Sequence, residues 1–300
     1  GLLNNRLTVS FDWFNRKTIN MVGPAPELPV TLGANVPKMN NADMQSTGFE
    51  LDLGWRDRIK DFDYSVHLLL SDDRQKILKY PNTTGKINPW YVGKYNGDIW
   101  GFETIGIAKS QEEMDAHLAS LPNGGQDALG VKWGAGDIMY RDLNGDGKIS
   151  DGATLDDPGD KRIIGNSSPR LRFGLDLNAS WKGFDVRLFF QGVAKRDAWL
   201  NDNMFWGATG GIWQSACFTS HLDFFREEGD EFWSANTNAY FPRILVDNYA
   251  KNQKTQTGYL QNAAYVRLKN LQIGYTIPAQ ITRKIGISNL RVFFSGENLF

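Results

Sequence analysis

The stretch Leu171-Arg-Phe-Gly-Leu-Asp-Leu-Asn-Ala-Ser-Trp-Lys-Gly-Phe-Asp-Val-Arg-Leu-Phe-Phe190 decides the fold. Leu171, Phe173, Leu175, Leu177, Ala179 and Trp181 alternate with Arg172, Gly174, Asp176, Asn178 and Ser180. After Lys182-Gly183, Phe184, Val186, Leu188 and Phe190 alternate with Asp185, Arg187 and Gln191. Side chains of a strand point to opposite faces in turn, so a period of two predicts a hairpin with one apolar and one polar face.

The same rhythm recurs on both sides. Leu7, Val9, Phe11 and Trp13 alternate with Thr8, Ser10 and Asp12. Phe49, Leu51, Leu53 and Trp55 do so with Glu50, Asp52 and Arg56, and Phe62 to Leu70 with Asp63, Ser65 and His67. Strands are expected at about 6–16, 47–58, 62–70, 171–181, 184–190, 264–277 and 289–299. In the sixth, the apolar phase slips between Leu268 and Leu271, which predicts a bulge near Asn270. Tight polar turns join some strands. Long connections rich in Gly, Asn, Pro and aromatics join the others, at 17–45, 72–140 (closed by the Asp-rich stretch that follows) and 196–260. Ser110-Gln-Glu-Glu113 is a capping-box pattern and predicts a short helix to about Ser120, ahead of Pro122; another is expected near 220–228.

Strands of about ten residues, tilted, cross a hydrocarbon core. Short turns at one end and long loops at the other are the pattern of an outer-membrane barrel. The polar face carries Glu50, Asp52, Asp63, Arg172, Asp176, Asp185 and Arg187, too many charges for a dry core but suited to a wet or plugged lumen. A two-sheet protein with one solvated face explains the alternation equally but not the asymmetry of the loops. Mean hydropathy is −0.42, and no run approaches the roughly 18 apolar residues of a membrane helix. That leaves strand spans open. A net charge of −1 offers no basic footprint for nucleic acid. The single cysteine, Cys217, excludes an internal disulfide, and His67, His117 and His221 are too scattered for a metal set or a catalytic triad. No nucleophile elbow and no carboxylate pair in a hydrolase setting is present, so enzyme activity is not expected.

The densest cluster of chemical groups is Asp137-Ile-Met-Tyr-Arg-Asp-Leu-Asn-Gly-Asp-Gly-Lys-Ile-Ser-Asp151. From Asp142 it reads Asp-x-Asn-x-Asp-Gly, the first part of a calcium loop. Asp142, Asn144 and Asp146 supply oxygens at alternate positions, Lys148 a backbone carbonyl at the seventh and Ser150 the ninth. Position twelve is Ala153 instead of Glu, and no flanking EF-hand helices are expected. Asp151, Asp156, Asp157 or Asp160 would have to close the shell, with Asp151 the nearest in sequence. A structural calcium site and an ion-free Asp/Asn/Gly turn both fit these residues. Trp90, Tyr91, Trp100, Trp199, Trp206 and Trp213 in the long loops are candidates for contact with substrate or partner, against a plain role in packing the loops together. Trp13, Trp55 and Trp181, near strand ends, read as interfacial girdle residues.

Several stretches resemble the SusC/RagA-like family of TonB-dependent outer-membrane transporters of Bacteroidetes. They are Gly136–Asp151, Arg162-Ile-Ile-Gly-Asn-Ser-Ser-Pro169, the 171–185 hairpin, Ala239-Tyr-Phe-Pro-Arg243, Tyr265–Pro278 with its Leu-Lys-Asn-Leu, and Ser295-Gly-Glu-Asn-Leu-Phe300. The resemblance implies that residues 1–300 are the C-terminal part of an antiparallel barrel of about 22 strands with a plugged lumen, contributing about seven strands and large extracellular loops. The plug, the TonB-contacting segment and the last strands would lie outside the chain. The family implies import of oligosaccharides or peptides across the outer membrane, with a SusD-like surface lipoprotein as lid, TonB as the energy source and lipid around the wall. A secreted, calcium-stabilised carbohydrate-binding module is the alternative. A continuous lipid-facing belt would separate the first reading from the second.

Overall fold

The computed structural model describes residues 2–24, 37–211, 218–229 and 233–300. They form two compact units, one of residues 2–79, 168–196 and 262–300, the other of residues 80–167 and 197–261.

In chain order the strands are β1 (Leu7–Gly23), β2 (Met39–Ile59), β3 (Phe62–Lys79), β4 (Asp98–Phe102), β5 (Thr104–Ile107), β6 (Ile138–Tyr140), β7 (Lys161–Asn166), β8 (Arg170–Trp181), β9 (Phe184–Lys195), β10 (Asp197–Ala198), β11 (Gln261–Asn262), β12 (Tyr265–Ile277) and β13 (Leu290–Glu297). The first unit is one antiparallel sheet in the order β1-β2-β3-β8-β9-β12-β13. β8 and β9 turn through Lys182 and Gly183, both with positive φ (47° and 92°). That conformation matches the right-handed strand twist and favours glycine at the second position. Neighbours β3 and β8 pair from Phe62–Trp181 to Ser71–Arg172, although some ninety residues separate them along the chain. Beyond that register, the carboxylate of Asp72 receives the Arg170 guanidinium and the Leu171 amide, the latter at 3.2 Å. This contact fixes where the chain rejoins the sheet.

Registers carry the apolar alternation across the whole unit. Val9, Leu53, Leu68, Leu175, Phe190 and Leu268 are successive cross-strand partners, and Leu7, Trp55, Val66, Leu177, Leu188 and Leu271 form the next row. Directly paired residues share a face, so both rows line one side of the sheet. Thr8, Gly54, His67, Asp176 and Phe189 form a row on the other side. On this polar face, Asp52 pairs with His67, Asp176 with Arg187 and Asp185 with Arg291. The apolar face is open: Val9, Phe11 and Trp13 are 50, 60 and 65% exposed. At the turn end it is rimmed by Phe62, Trp181, Phe184 and Tyr275, with Phe184 and Tyr275 in contact at 4.5 Å. Among the described residues no helix is long and apolar enough to cross a membrane.

The expected bulge is present: the register of β12 against β9 shifts between Leu268 and Asn270. β1, β2 and β3 are longer than alternation predicts, at 17, 21 and 18 residues. Segments 17–23, 39–46 and 71–79, read from sequence as irregular, continue the ladder. Their pairs mix polar and apolar side chains without a sustained alternation: Met21 faces Ala42 and Met44 faces Ile77, while nearby Gln45 Nε2 donates to Asn15 Oδ1 at 2.8 Å. A ladder needs only backbone hydrogen bonds, so it outlasts the apolar pattern. At about 3.3 Å per residue, β2 runs roughly 70 Å, well beyond the 9–11 tilted residues that span a hydrocarbon core.

Candidate functional site: the loop body and its acidic loop

The second unit gathers the two long connections around one core. Phe102, Met114, Ile138, Tyr140 and Ile149 from the first meet Trp206, Phe241 and Tyr259 from the second. Tyr259 sits 4.8 Å from Trp206, and Tyr140 lies 5.3 Å from Phe102. Helix α1 (Gln111–Ala119) forms where the capping pattern places it. Ser110 Oγ accepts from the Glu113 amide at 3.3 Å, while the Glu113 carboxylate takes the Lys109 amide at 2.6 Å, one residue earlier than in a reciprocal box. The single fully buried residue of α1, Met114, anchors it. Near the second expected helix only a short turn, Thr219–Leu222, forms.

A buried ion cluster ties the two connections together. Asp137, with no exposed surface, accepts from Arg243 Nε and Nη2 (3.0 and 2.6 Å), Lys251 Nζ (2.7 Å), Asn252 Nδ2 (2.9 Å) and the Gly134 amide (2.9 Å). Lys251 also donates to the carbonyls of Val131 and Lys132, and its ammonium lies 4.5 Å from the Trp133 ring. Burial pushes the Lys251 pKa down, against the pull of Asp137. In a second cage, Lys94 Nζ donates to the carbonyls of Ile87, Asn88 and Pro89 (2.9, 3.0 and 3.1 Å), and its pKa too is lowered by burial. Neither set is legible in the sequence, because the side-chain partners of Asp137 lie more than a hundred positions away and the Lys94 partners are carbonyls.

The acidic loop closes on itself. Asp142 accepts from the amides of Gly145 (2.6 Å) and Gly147 (2.8 Å), Asn144 from the amide of Asp146 (3.0 Å), and Asp146 from that of Lys148 (3.1 Å). Asp160 is the carboxylate that closes it. Fully buried, it takes the amides of Leu143 (2.8 Å) and Ser150 (2.7 Å) and the Ser150 hydroxyl (3.2 Å), and it is within hydrogen-bonding reach of Asp142. Burial acts to raise the Asp142 pKa, but the amides outweigh it and hold the group below the usual carboxylate range. Asp151, the nearest candidate in sequence, points elsewhere: Lys161 (2.7 Å) and Lys254 (3.1 Å) hold its two oxygens. Among the described residues no three His, Cys, Asp or Glu side chains stand together closely enough to hold a metal ion. The donors are hard oxygens of the kind calcium takes. Asp142 and Asp160 meet, while Asp146 is turned toward loop donors and lies 4.0 Å from Lys148 Nζ.

The aromatic candidates divide. Trp206 is 1% exposed and belongs to the core, with Trp199 against it at 6.0 Å. Tyr91 is interior, its hydroxyl accepting from Trp100 Nε1 at 3.2 Å. Trp90 and Trp100 are half-buried, Trp90 beside Tyr80 at 5.7 Å. Trp213 lies outside the described residues.

No protein-family model matches the chain. TonB-dependent receptor P3 of Formosa agariphila is 27% identical over 314 residues, covering all of this chain and 28% of that receptor. Receptor P26 of the same organism is 26% identical, with 100 and 29% covered. Among solved structures, the RagAB peptide transporter superposes with a TM-score of 0.67 at 23% identity, over 99% of this chain and 30% of the other. The RagAB peptide importer in its "closed-closed" state gives 0.68 at 22%, with the same coverage. The chain thus spans under a third of the length of these relatives. Over its whole length the chain is similar in sequence to TonB-dependent receptors, and it shares the fold of the matching part of RagAB.

Proposed function

We propose that residues 1–300 form part of the wall and outer loops of an outer-membrane importer. In this reading the seven-stranded sheet belongs to a closed barrel of about 22 strands. The observation that carries it is the apolar face, which runs unbroken across all seven strands and stays open. In water such a face would be an aggregation site; in lipid it is a wall. The opposite, charged face then lines the lumen, where a plug from another part of the protein would sit. The long connections face the outside, since outer-membrane barrels keep their short turns in the periplasm.

The transported nutrient is an oligosaccharide or a peptide, energised through TonB, with a SusD-like lipoprotein as lid. The RagAB relatives, named as peptide transporter and importer, support the peptide side. Trp90 and Trp100 are the aromatics best placed for outside contacts, being only half-buried. No role in covalent catalysis is proposed. The secreted-module alternative needs a closed core under the sheet, whereas the main buried apolar cluster belongs to the loop body.

Calcium is proposed as a structural ion of the acidic loop, held by Asp142 and Asp160 with Asn144, Asp146, the Lys148 carbonyl and Ser150. A calcium ion between Asp142 and Asp160 would offset the like charges that the loop brings together. Fractionating cells that express the full-length protein tests the main reading. Recovery with the outer membrane is expected, and recovery as a soluble protein would overturn it.

A further inference from the structure

Beside the Asp137 cluster the loop body opens a pocket of about 290 Å³, bordered by Gln111, Lys132, Gly134, Arg243, Asp247 and Asn248. Ligand sites run from roughly 300 to 1,000 Å³, so this one suits a single terminal residue or sugar unit rather than a whole chain. Asp137 holds the guanidinium of Arg243 through Nε and Nη2, and the Lys132 carbonyl takes Nη2 as well. Arg243 lines the pocket, and its Nη1, with two N–H donors, makes no hydrogen bond among the described residues and lies beside Gly134, another lining residue. An arginine pinned on one edge and free on the other is preorganised for a planar acceptor.

The surroundings narrow the ligand. Around the pocket stand Lys132, Arg243 and Lys251, against Asp137 and Asp247. Three cations and two anions leave one positive charge, which a monovalent anion balances and a phosphate or sulfate dianion overshoots. Asp247 reaches Lys132 at only 3.5 Å, and both side chains are largely exposed. Such a pair is weak, so an incoming anion can displace it. Lys132 and Asn248 both adopt left-handed backbone (φ 58° and 56°), rare for residues other than glycine. Gly134 keeps the floor open, since a Cβ there would meet Gln111 Oε1 at 2.7 Å and Arg243 Nη1 at 3.2 Å.

We infer that this pocket binds a carboxylate through Arg243 Nη1 and Lys132, as the terminal group of a peptide or of an acidic sugar. The inference rests on the importer reading for the ligand's role as a nutrient. Direct binding to purified full-length receptor tests it apart from transport. Calorimetric titration compares trialanine with trialanine amide, and galacturonate with galactose. In the pair that supplies the true source, the acid should bind about tenfold or more tightly than its neutral counterpart, the size of a lost charge-assisted hydrogen bond. Gly134→Ala should abolish that preference by filling the floor. Asp247→Asn should strengthen acid binding several-fold by removing the competing anion, a gain that a misfolded variant would not give. Equal binding of acid and neutral forms in both pairs, no binding of any of the four, or an Asp247→Asn variant that binds no better would overturn the assignment. Acid binding without any cellular uptake would instead count against the importer reading alone.

Discussion

Asp137 accepts two hydrogen bonds from Arg243, a residue 106 positions later, at a point with no exposure to water. This pair makes one body out of two long connections, and Lys251 and Asn252 complete it. Removing the anion strands the buried Lys251 ammonium and unpins the partly exposed Arg243 guanidinium, a loss of about 3–5 kcal/mol for a broken buried pair. Asp137→Ala should therefore make the loop body of the full-length protein sensitive to protease under native conditions. The sheet strands, which take no part in the cluster, should stay protected.

Trp206 fills the centre of the same core against Phe205 and Tyr259. Trp206→Ala should cost about 3–5 kcal/mol, measured as a shift in the urea midpoint of loop-body unfolding. Trp100→Ala, at a half-buried position, should cost markedly less.

Tyr140 and Tyr259 have phenol pKa values raised above the usual 10, in both cases chiefly by burial. A raised acid pKa means that the folded state favours the neutral phenol. Their stability contribution is complete below pH 10 and is lost as the pH climbs above it, where only the unfolded chain ionises. Each group should steepen the fall by up to about 1.4 kcal/mol per pH unit. Melting temperatures from pH 9 to 11 check this. Tyr140→Phe should show a flatter decline than the parent, whatever its starting stability, and equal slopes would contradict the assignment.

The acidic loop gives a metal prediction. Calcium should protect residues 142–160 from hydrogen exchange, and Asp160→Ala should remove that protection. Asp151→Ala, at the carboxylate held by Lys161 and Lys254, should leave it in place. An equal response of the two variants would move the closing ligand away from Asp160.

The seven strands and α1 were legible because each rests on local physics, a period of two or a cap within four residues. The rest depended on distance along the chain or on choices among neighbours. Asp151 and Asp160 look equivalent in the sequence; which one closes the loop depends on where Lys161 and Lys254 fall. Trp206 reads as a contact residue until Tyr259 and Phe241 are found around it. The full length of β1 to β3 was hidden because residues 17–23, 39–46 and 71–79 mix polar and apolar side chains without a sustained period of two, though their backbones pair as well as any.

The lipid-facing assignment predicts an asymmetry within single strands. Leu177→Arg should impair membrane assembly, at a cost of about 2–4 kcal/mol near the midplane. Asn178→Arg, one residue on but on the polar face, should be tolerated. Comparable yields of the two variants in the outer membrane would contradict it.

The most direct test is site-by-site accessibility along β8 in the full-length protein reconstituted in lipid. With Cys217→Ser as background, single substitutions Phe173→Cys, Gly174→Cys, Leu175→Cys, Asp176→Cys, Leu177→Cys and Asn178→Cys each carry a nitroxide label. The odd-numbered positions should be relaxed by oxygen dissolved in the bilayer, and the even-numbered ones by a water-soluble nickel chelate or by neither reagent. Oxygen accessibility without a two-residue period, or nickel accessibility at 173, 175 and 177, would mean that this sheet is not a membrane wall.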